Sequence, residues 1–537
     1  MMEHNRIVIQ HLFNEKIYSA GLSEYLNAIP VCRYRDYCNV ETMFIEIRTN
    51  SLKTIDALYY HNDKSIETIT FDLSDNPIQV DTADLRAIVF DVSSEDLDKI
   101  DGGSVYVIPK HRTEIKLAHI VCTYHREEEV IRKMESFSSF ENDNYHMIVV
   151  DNGRSLNYKP RDNVTIVPSP NYGGSSGFSR GMDIAVSNRF THVLLNDDDA
   201  IISPESVFRL ISFLELLNDD NREICISGVM FDSSDMTRVY STGGYLKDNG
   251  IAPCSSGLDV AKREEMLQLF DEKNIKFSDW TLFCIPTVLV QKKGLPLPLF
   301  IWFDDVEFGY RLDAHIITVP GISVWHPSRF NRFSTSHRYY ETRNRLVTLF
   351  VSKKVGRKRV DRIFESIAVD VASYRYKSAE ESLRGVEDFL LGPDHLFSLC
   401  KEGMRESYPI ELDNLESLRE GMNFHEMPKR AFSVRKLTLN GLLLSSKGDV
   451  ESSPFEMDTS KFYRAGKILY QYNTEKGFIV KRDLKKAIIL SFRIIKMKRK
   501  VFRHFSELRK AYSDSIIKYS SQEFWRELWG FNDPVNL

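Results

Sequence analysis

Four short apolar runs between Leu117 and Asn196 constrain the fold more than any other feature: LAHIVCTY, MIVVDNG, VTIV and HVLLNDDD. A charged helical stretch from Arg126 to Phe140 follows the first, and a helix near Phe178 to Asn188 precedes the last. Apolar strands alternating with helices predict an α/β unit, a parallel sheet with crossover helices. Ligands of such sheets collect at the carboxyl ends of the strands. That rule gathers Thr123, Asp151 and Asp197 to Asp199 around one crevice.

The flanking sequence has a different texture. Residues 1–115 read as mainly β, because Met43, Ile45 and Ile47 alternate with polar neighbours and Ile69, Phe71 and Leu73 repeat the period of two. Asp75-Asn76-Pro77 and Asp101-Gly102-Gly103 are the expected turns, and the segment is expected to form a sandwich or jelly roll. Residues 116–350 form the α/β unit, and 351–537 read as mainly helical. Within the last segment, residues 481–510 carry twelve Lys and Arg against two acidic residues. A 537-residue chain of 42% apolar and 27% charged residues has ample core for three such domains and is not a disordered one. The net charge of −5 gives no reason for a nucleic-acid partner. Seven scattered cysteines without a C-x-x-C pair argue against a disulfide framework and for a reducing, cytoplasmic compartment. The start, MMEHNRIVIQHLFNE, lacks the apolar run of a signal peptide, and no stretch of about 18 apolar residues occurs.

Candidate chemistry concentrates where apolar runs end in charge. Adjacent Asp197, Asp198 and Asp199 repel one another, and a divalent cation would offset that repulsion. Hard oxygen ligands suit Mg²⁺ or Mn²⁺. At a strand end residues 197 and 199 can face one way and 198 the other. The plainer reading of the triplet is a solvated acidic turn before the helix that begins at Pro204. Asn171-Tyr172-Gly173-Gly174-Ser175-Ser176-Gly177 opens a helix and lets backbone approach an anionic ligand, though it is not a dinucleotide fingerprint. Asp304 and Asp305, within FIWFDDVEFGYR, sit among bulky apolar residues. Desolvation there would raise one of them toward a general base, while an N-cap pair is the structural alternative. His326 closes the run VWH; a lone histidine is more often structural, but an acidic metal site nearby favours ligation.

In this order these motifs resemble the inverting, nucleotide-sugar-dependent glycosyltransferases of the GT-A fold, family two. Together with the run YYETRNR at 339–345 they look most like the polymerising galactofuranosyltransferases of bacteria. The resemblance implies a Rossmann-like GT-A core between an N-terminal β-sandwich and a C-terminal helical domain. It implies that Thr123, Arg126 and Asp151 hold the uridine, with Gly173, Gly174 and Arg180 close to the nucleotide or diphosphate. Asp197, Asp199 and His326 would hold the metal, with Asp198 nearer the ribose or sugar. Asp305 would be the base and Asp304 a binder of sugar hydroxyls. Where that family has two adjacent tryptophans lining the acceptor site, this chain has Trp280 followed by Thr281, and Glu341 or a neighbour replaces a histidine before R-N-R.

The expected activity is metal-dependent transfer of galactofuranose from UDP-galactofuranose to a growing bacterial glycan or lipid-linked glycan. Transfer of another UDP or dTDP sugar such as rhamnose, or a non-catalytic glycan-binding scaffold, are the alternatives. The second would require loss of a metal carboxylate or of the base, and all are present. The basic stretch offers two readings, an amphipathic helix on an anionic membrane surface at the inner face of the cell, or one packed on the core. Its apolar positions at helical spacing are Ile488, Phe492, Ile495, Phe502 and Phe505. A homo-oligomer is left open.

Overall fold

The computed structural model describes residues 6–14, 20–159, 161–248, 250–327, 334–352, 356–404, 410–427, 430–530 and 537. Met1 to Asn5, the start of the N-terminal run, lie outside the described residues. By contacts the chain divides into two units. The first comprises Met1–Pro296, Phe308–Pro327 and Ser521–Leu537; the second comprises Leu297–Glu307 and Ser328–Ser520.

The first unit begins with strands β1 to β7: Ile7–Leu12, Val40–Thr49, Thr54–His61, Ile66–Asp72, Ile78–Val80, Leu85–Asp91 and Ile100–Pro109. Short helices α1 (Ala20–Asn27), α2 (Val31–Tyr37) and α3 (Ser94–Leu97) accompany them. They form two antiparallel sheets, ordered β1-β7-β2-β5 and β4-β3-β6. Met43, Ile45 and Ile47 are buried, as their alternation predicts. Gly102 and Gly103, expected in a turn, instead lie inside β7. A Cβ at Gly103 would come within 2.5 Å of the Glu46 carbonyl, so close strand approach explains this glycine.

The central sheet has nine strands. They are β8 (Leu117–Thr123), β9 (Tyr145–Asp151), β10 (Val164–Pro168), β11 (His192–Asp197), β12 (Ile201–Ile202), β13 (Cys225–Asp232), β14 (Asp235–Ser241), β17 (Phe283–Pro286) and β18 (Ile316–His326). A separate hairpin, β15 (Gly244–Lys247) with β16 (Gly250–Pro253), interrupts the numbering. The order is β10-β9-β8-β11-β17-β13-β18-β12, with β14 beside β13. The first four strands are parallel, as expected; β17 runs antiparallel between β11 and β13, which the helix–strand alternation did not foresee. Helices α4 (Glu127–Ser136), α5 (Gly174–Ser187) and α6 (Pro204–Leu216) make the crossovers. Short α7 (Arg263–Leu267) and α8 (Thr287–Lys293) follow. One core joins Ile45 and Val107 of the N-terminal strands to Leu117, Val149 and Leu194 of the central sheet.

Helix α9 (Asp304–Leu312) opens in the second unit, which continues with α10 (Thr335–Val351), α11 (Arg357–Ala372) and α12 (Tyr376–Leu390). Three short helices, α13 (Pro393–Ser398), α14 (Leu415–Glu420) and α15 (Phe432–Leu437), precede the long α16 (Leu484–Arg503) and α17 (Phe505–Tyr519). Phe389 of α12 stacks on Tyr512 of α17, with ring centroids 4.6 Å apart. The helical expectation holds for this region, but it also contains a four-stranded sheet. Its strands are β19 (Asp413–Asn414), β20 (Gly448–Ser452), β21 (Ala465–Gln471) and β22 (Lys476–Lys481), in the order β19-β22-β21-β20. Ile468, Leu469 and Tyr470 are all buried, so β21 lacks the alternation that marks a strand in sequence.

Helix α16 packs on α11 and α12 through Ala487, Leu490, Ile494, Met497 and Val501. That stripe is not the one the sequence suggested: Phe492 and Ile495 are 69% and 47% exposed. Among the described residues no helix is long and apolar enough to cross a membrane. The last helix, α18 (Gln522–Trp529), belongs to the first unit.

Candidate active site

Strand register brings the expected residues to one rim of the central sheet. Thr123 pairs with Asp151 across β8 and β9, Cys122 with Asp197 across β8 and β11, and Asp232 with His326 across β13 and β18. Ligand atoms of Asp197, Asp199 and His326 all lie within 4.8 Å of one another. His326 Nε2 is 3.1 Å from Asp199 Oδ1, and both side chains are largely buried. Asp198 turns to other partners: it accepts a 3.0 Å hydrogen bond from Thr123 Oγ1. Arg126 places Nη1 3.2 Å from Asp199 and Nε 3.8 Å from Asp198. Burial, and then the neighbouring Asp199 charge, push the Asp198 carboxyl above its ordinary range.

A buried lysine compensates this acidic run, and the sequence reading missed it. Lys133 Nζ donates to the Asn196 side-chain oxygen and to the Asp197 backbone carbonyl. Burial lowers its pKa to about 8, while the charges of Asp198, Asp197 and Asp199 oppose that fall. The signal lay in α4, where Lys133 occupies the same buried stripe as Val130 and Met134. Asn196 is fully buried and donates in turn to the Thr281 carbonyl, so the Trp280-Thr281 segment braces β11.

Other expected residues have structural partners. Asp151 accepts from the backbone N–H groups of Gly153 and Leu156, at 2.9 and 2.8 Å, and so shapes the turn after β9. Gly173 has φ 85°, a conformation that favours glycine, and Gly174 opens α5. Gly177 and Gly181 let α5 lie on β8, since a Cβ would come within 2.1 Å of Cys122 Sγ and 2.3 Å of Ile120 Cγ2 respectively. Arg180 is 3.6 Å from Asp183 and lies over the Trp529 ring, 5.0 Å from its centroid. Trp280 is buried against Phe178 and Phe308 rather than offered as a platform. Glu341 pairs with Arg338 at 2.6 Å, and Arg338 also pairs with Asp370.

Helix α18 fastens α5, a contact that no motif signalled. Arg526 grips the fully buried Asp183, with Nη2 2.8 Å from Oδ1 and Nε 3.1 Å from Oδ2, and Trp529 donates to Ser176 Oγ at 2.9 Å. Trp525 donates to the Pro296 carbonyl at 2.9 Å. The amphipathic pattern QEFWRELW, with Trp525, Leu528 and Trp529 on its buried face, was the available clue.

In the second unit Asp304 and Asp305 open α9. Asp304 is buried, Asp305 is half-buried, and Asp305 Oδ1 accepts from the Val306 N–H at 2.8 Å.

The sequence model of glycosyl transferase family 2 matches residues 119–244, the span from β8 to the start of β15. Residues 119–244 are a glycosyl transferase family 2 domain. The chain is a glycosyltransferase, and the architecture expected from its motifs is the one observed: a GT-A-like α/β core, a strand-rich N-terminal segment and a helical C-terminal region. Asp305 and His326 lie beyond the matched segment. Galactofuranosyltransferase GlfT2 of Mycobacterium tuberculosis is 22% identical over 94% of this chain and 89% of its own length. The protein of the same name from Mycolicibacterium smegmatis is also 22% identical, over 95% of this chain and 88% of its length. Staphylococcus aureus TarS 1-349, solved in complex with UDP, is 11% identical over 54% of this chain and 87% of that one. Its TM-score of 0.32 is too low to bear on the fold, which rests on the strand order and the family match.

Proposed function

We propose that this glycosyltransferase is a hexosyltransferase that moves galactofuranose from UDP-galactofuranose, with inversion, to a growing cell-surface glycan or glycolipid. The observation that carries the reading is the convergence of Asp197, Asp199 and His326 at the rim of the central sheet, where ligands of such sheets collect. Similarity to the two galactofuranosyltransferases along nearly the whole chain supports the choice of sugar.

Two carboxylates and one imidazole within reach of one another fit a hard divalent ion, Mn²⁺ or Mg²⁺. Asp197, Asp199 and His326 would hold it, and when bound it would stabilise negative charge on the leaving diphosphate. The chain's own groups do the rest. Asp198, kept in place by Thr123, and Arg126 bind the nucleotide side of the donor. Asp305 takes the proton from the acceptor hydroxyl, and Asp304 binds sugar hydroxyls beside it. One base and no nucleophile motif fit a single displacement, hence inversion. Arg180, Trp280 and Glu341 are better accounted for as structural, given their ion-pair and packing partners.

A lipid-linked acceptor would give the outer face of α16 a purpose. Ile489, Phe492 and Ile495 are exposed there beside Lys485, Lys486, Lys496 and Arg499. That pairing suits an anionic membrane surface. Phe492→Ser with Ile495→Ser should abolish co-sedimentation with phosphatidylglycerol vesicles and leave transfer to a soluble acceptor intact.

The deciding experiment is a panel of UDP- and dTDP-sugars with glycan acceptors, with and without a chelator, scored for nucleotide release. UDP-galactofuranose should stand out, and chelation should silence it. Equal release from another sugar nucleotide would reject the donor assignment.

A further inference from the structure

We propose that Asn344, on α10, is a positioning residue for the Asp304–Asp305 pair: its buried carboxamide fastens the backbone turn that delivers both carboxylates. This rests on the reading of Asp305 as the base.

The turn from Leu299 to Phe303 is one the chain would not hold unaided. Phe300, Trp302 and Phe303 have φ of 73°, 66° and 65°. In that left-handed region Cβ crowds the following carbonyl oxygen, and bulky side chains rarely occupy it. Three such residues among four successive positions need something external to select the conformation.

Asn344 supplies it. Its Nδ2 donates to the carbonyls of Leu299, Ile301 and Trp302, at 3.0, 2.7 and 2.8 Å. Arg343 Nη2 adds a second donor to the Leu299 carbonyl at 2.7 Å. Asn344 is fully buried, and its Oδ1 accepts from Arg343 Nε at 2.8 Å. The oxygen is thereby turned to the guanidinium and both N–H groups to the turn. Arg343 lies over the rings of Tyr339 and Tyr340, about 5 Å from each centroid, and Tyr340 stacks on Phe300 at 5.3 Å. Backbone and ring contacts from one helix therefore converge on one turn. Asp304 is the next residue after Phe303, and the Phe303 carbonyl accepts from the Glu307 N–H to open α9. The left-handed backbone at Phe303 sets the direction in which the helix, and with it both carboxylates, leaves the turn.

The test is Asn344→Ala in the full chain. Turnover should fall about 10²-fold, the cost of a small misplacement of a reacting group, while donor KM and UDP affinity change by less than about twofold. Amide exchange across residues 297–307 should rise, with α11 and α12 unchanged. Adding Trp302→Gly removes the Cβ penalty at one left-handed position and should restore part of kcat, which a packing role would not allow. Asn344→Ser keeps one donor, should fall between wild type and alanine, and carries the test if the alanine variant does not fold. A folded variant with kcat within about twofold of wild type, unchanged exchange at 297–307, or no rescue by Trp302→Gly overturns the proposal. Asp305→Asn separates the two failures. If it turns over normally, the base assignment falls and this inference with it; if it is inactive while Asn344→Ala is unimpaired, only the role of Asn344 falls.

Discussion

At the rim of the central sheet, Asp197, Asp198 and Asp199 stand at the end of a regular strand, and two cations answer them, Lys133 from α4 and Arg126 just before it, while the His326 imidazole of β18 lies beside Asp199. In the second unit, Asp304 and Asp305 follow a left-handed turn, and a neutral carboxamide on backbone carbonyls holds that turn. In the first case strand register fixes position, so the difficulty is charge. In the second the difficulty is conformation. The two acidic groups should therefore fail under different kinds of substitution.

The largest effect is expected at the rim. Asp199→Ala removes the carboxylate that meets both His326 and Arg126, and activity should fall below detection, with UDP binding measurably weakened. Full activity with bound manganese would remove Asp199 from the ion's ligand set. Asp305→Asn should lower kcat by about 10²-fold or more, the lower bound for a general base, with UDP and metal affinity nearly intact. Loss of donor binding with turnover preserved at saturating donor would make Asp305 a binding residue instead. Lys133→Met leaves Asn196 and Asp197 without their buried donor and the three carboxylates with Arg126 but no buried lysine; unfolding should ease by about 3 kcal/mol. Manganese should raise the melting temperature of this variant more than that of wild type, because the ion replaces the missing charge. Equal shifts would show that Lys133 does not serve the acidic run.

The same contrast explains what could be read in advance. The rim was legible because HVLLNDDD, MIVVD and VWH each end an apolar run in a polar group, and a sheet must align such ends. Lys133 was not, since a lysine inside a charged helix looks like surface until its stripe is drawn. The glycines of 173–181 signalled close approach, but for Gly177 and Gly181 the approaching partner is β8 and not a ligand. Strand β17 escaped because FCIP is too short to declare a direction. The turn before Asp304 was the least legible, because FIWF carries none of the glycine or asparagine that normally announces positive φ. Its conformation is written instead in Asn344, some forty residues away.

Acid should probe the two units unequally. His119 in β8 and His192 in β11 are buried, and burial lowers their pKa values to about 3 and about 4. Unfolded, each would titrate near 6.5, so below that pH the unfolded chain binds protons that the folded one refuses. The stability is complete above about pH 6.5, is lost as pH falls, and levels off only below the folded-state values. At pH 5 the expected loss is about 2 kcal/mol per histidine. Among the described residues of the second unit no histidine is buried, so exchange protection there should vary less over the same range. Hydrogen exchange at pH 7.5 and pH 5 should show protection falling first across residues 117–197, with α11 and α12 following later or not at all. His119→Phe gives up the hydrogen bond to Tyr145 and should be less stable at pH 7.5, yet its stability should fall less steeply between pH 6.5 and pH 5. A profile as steep as wild type would mean that other groups drive the acid sensitivity of the sheet, and that its buried histidines are not where the two units differ.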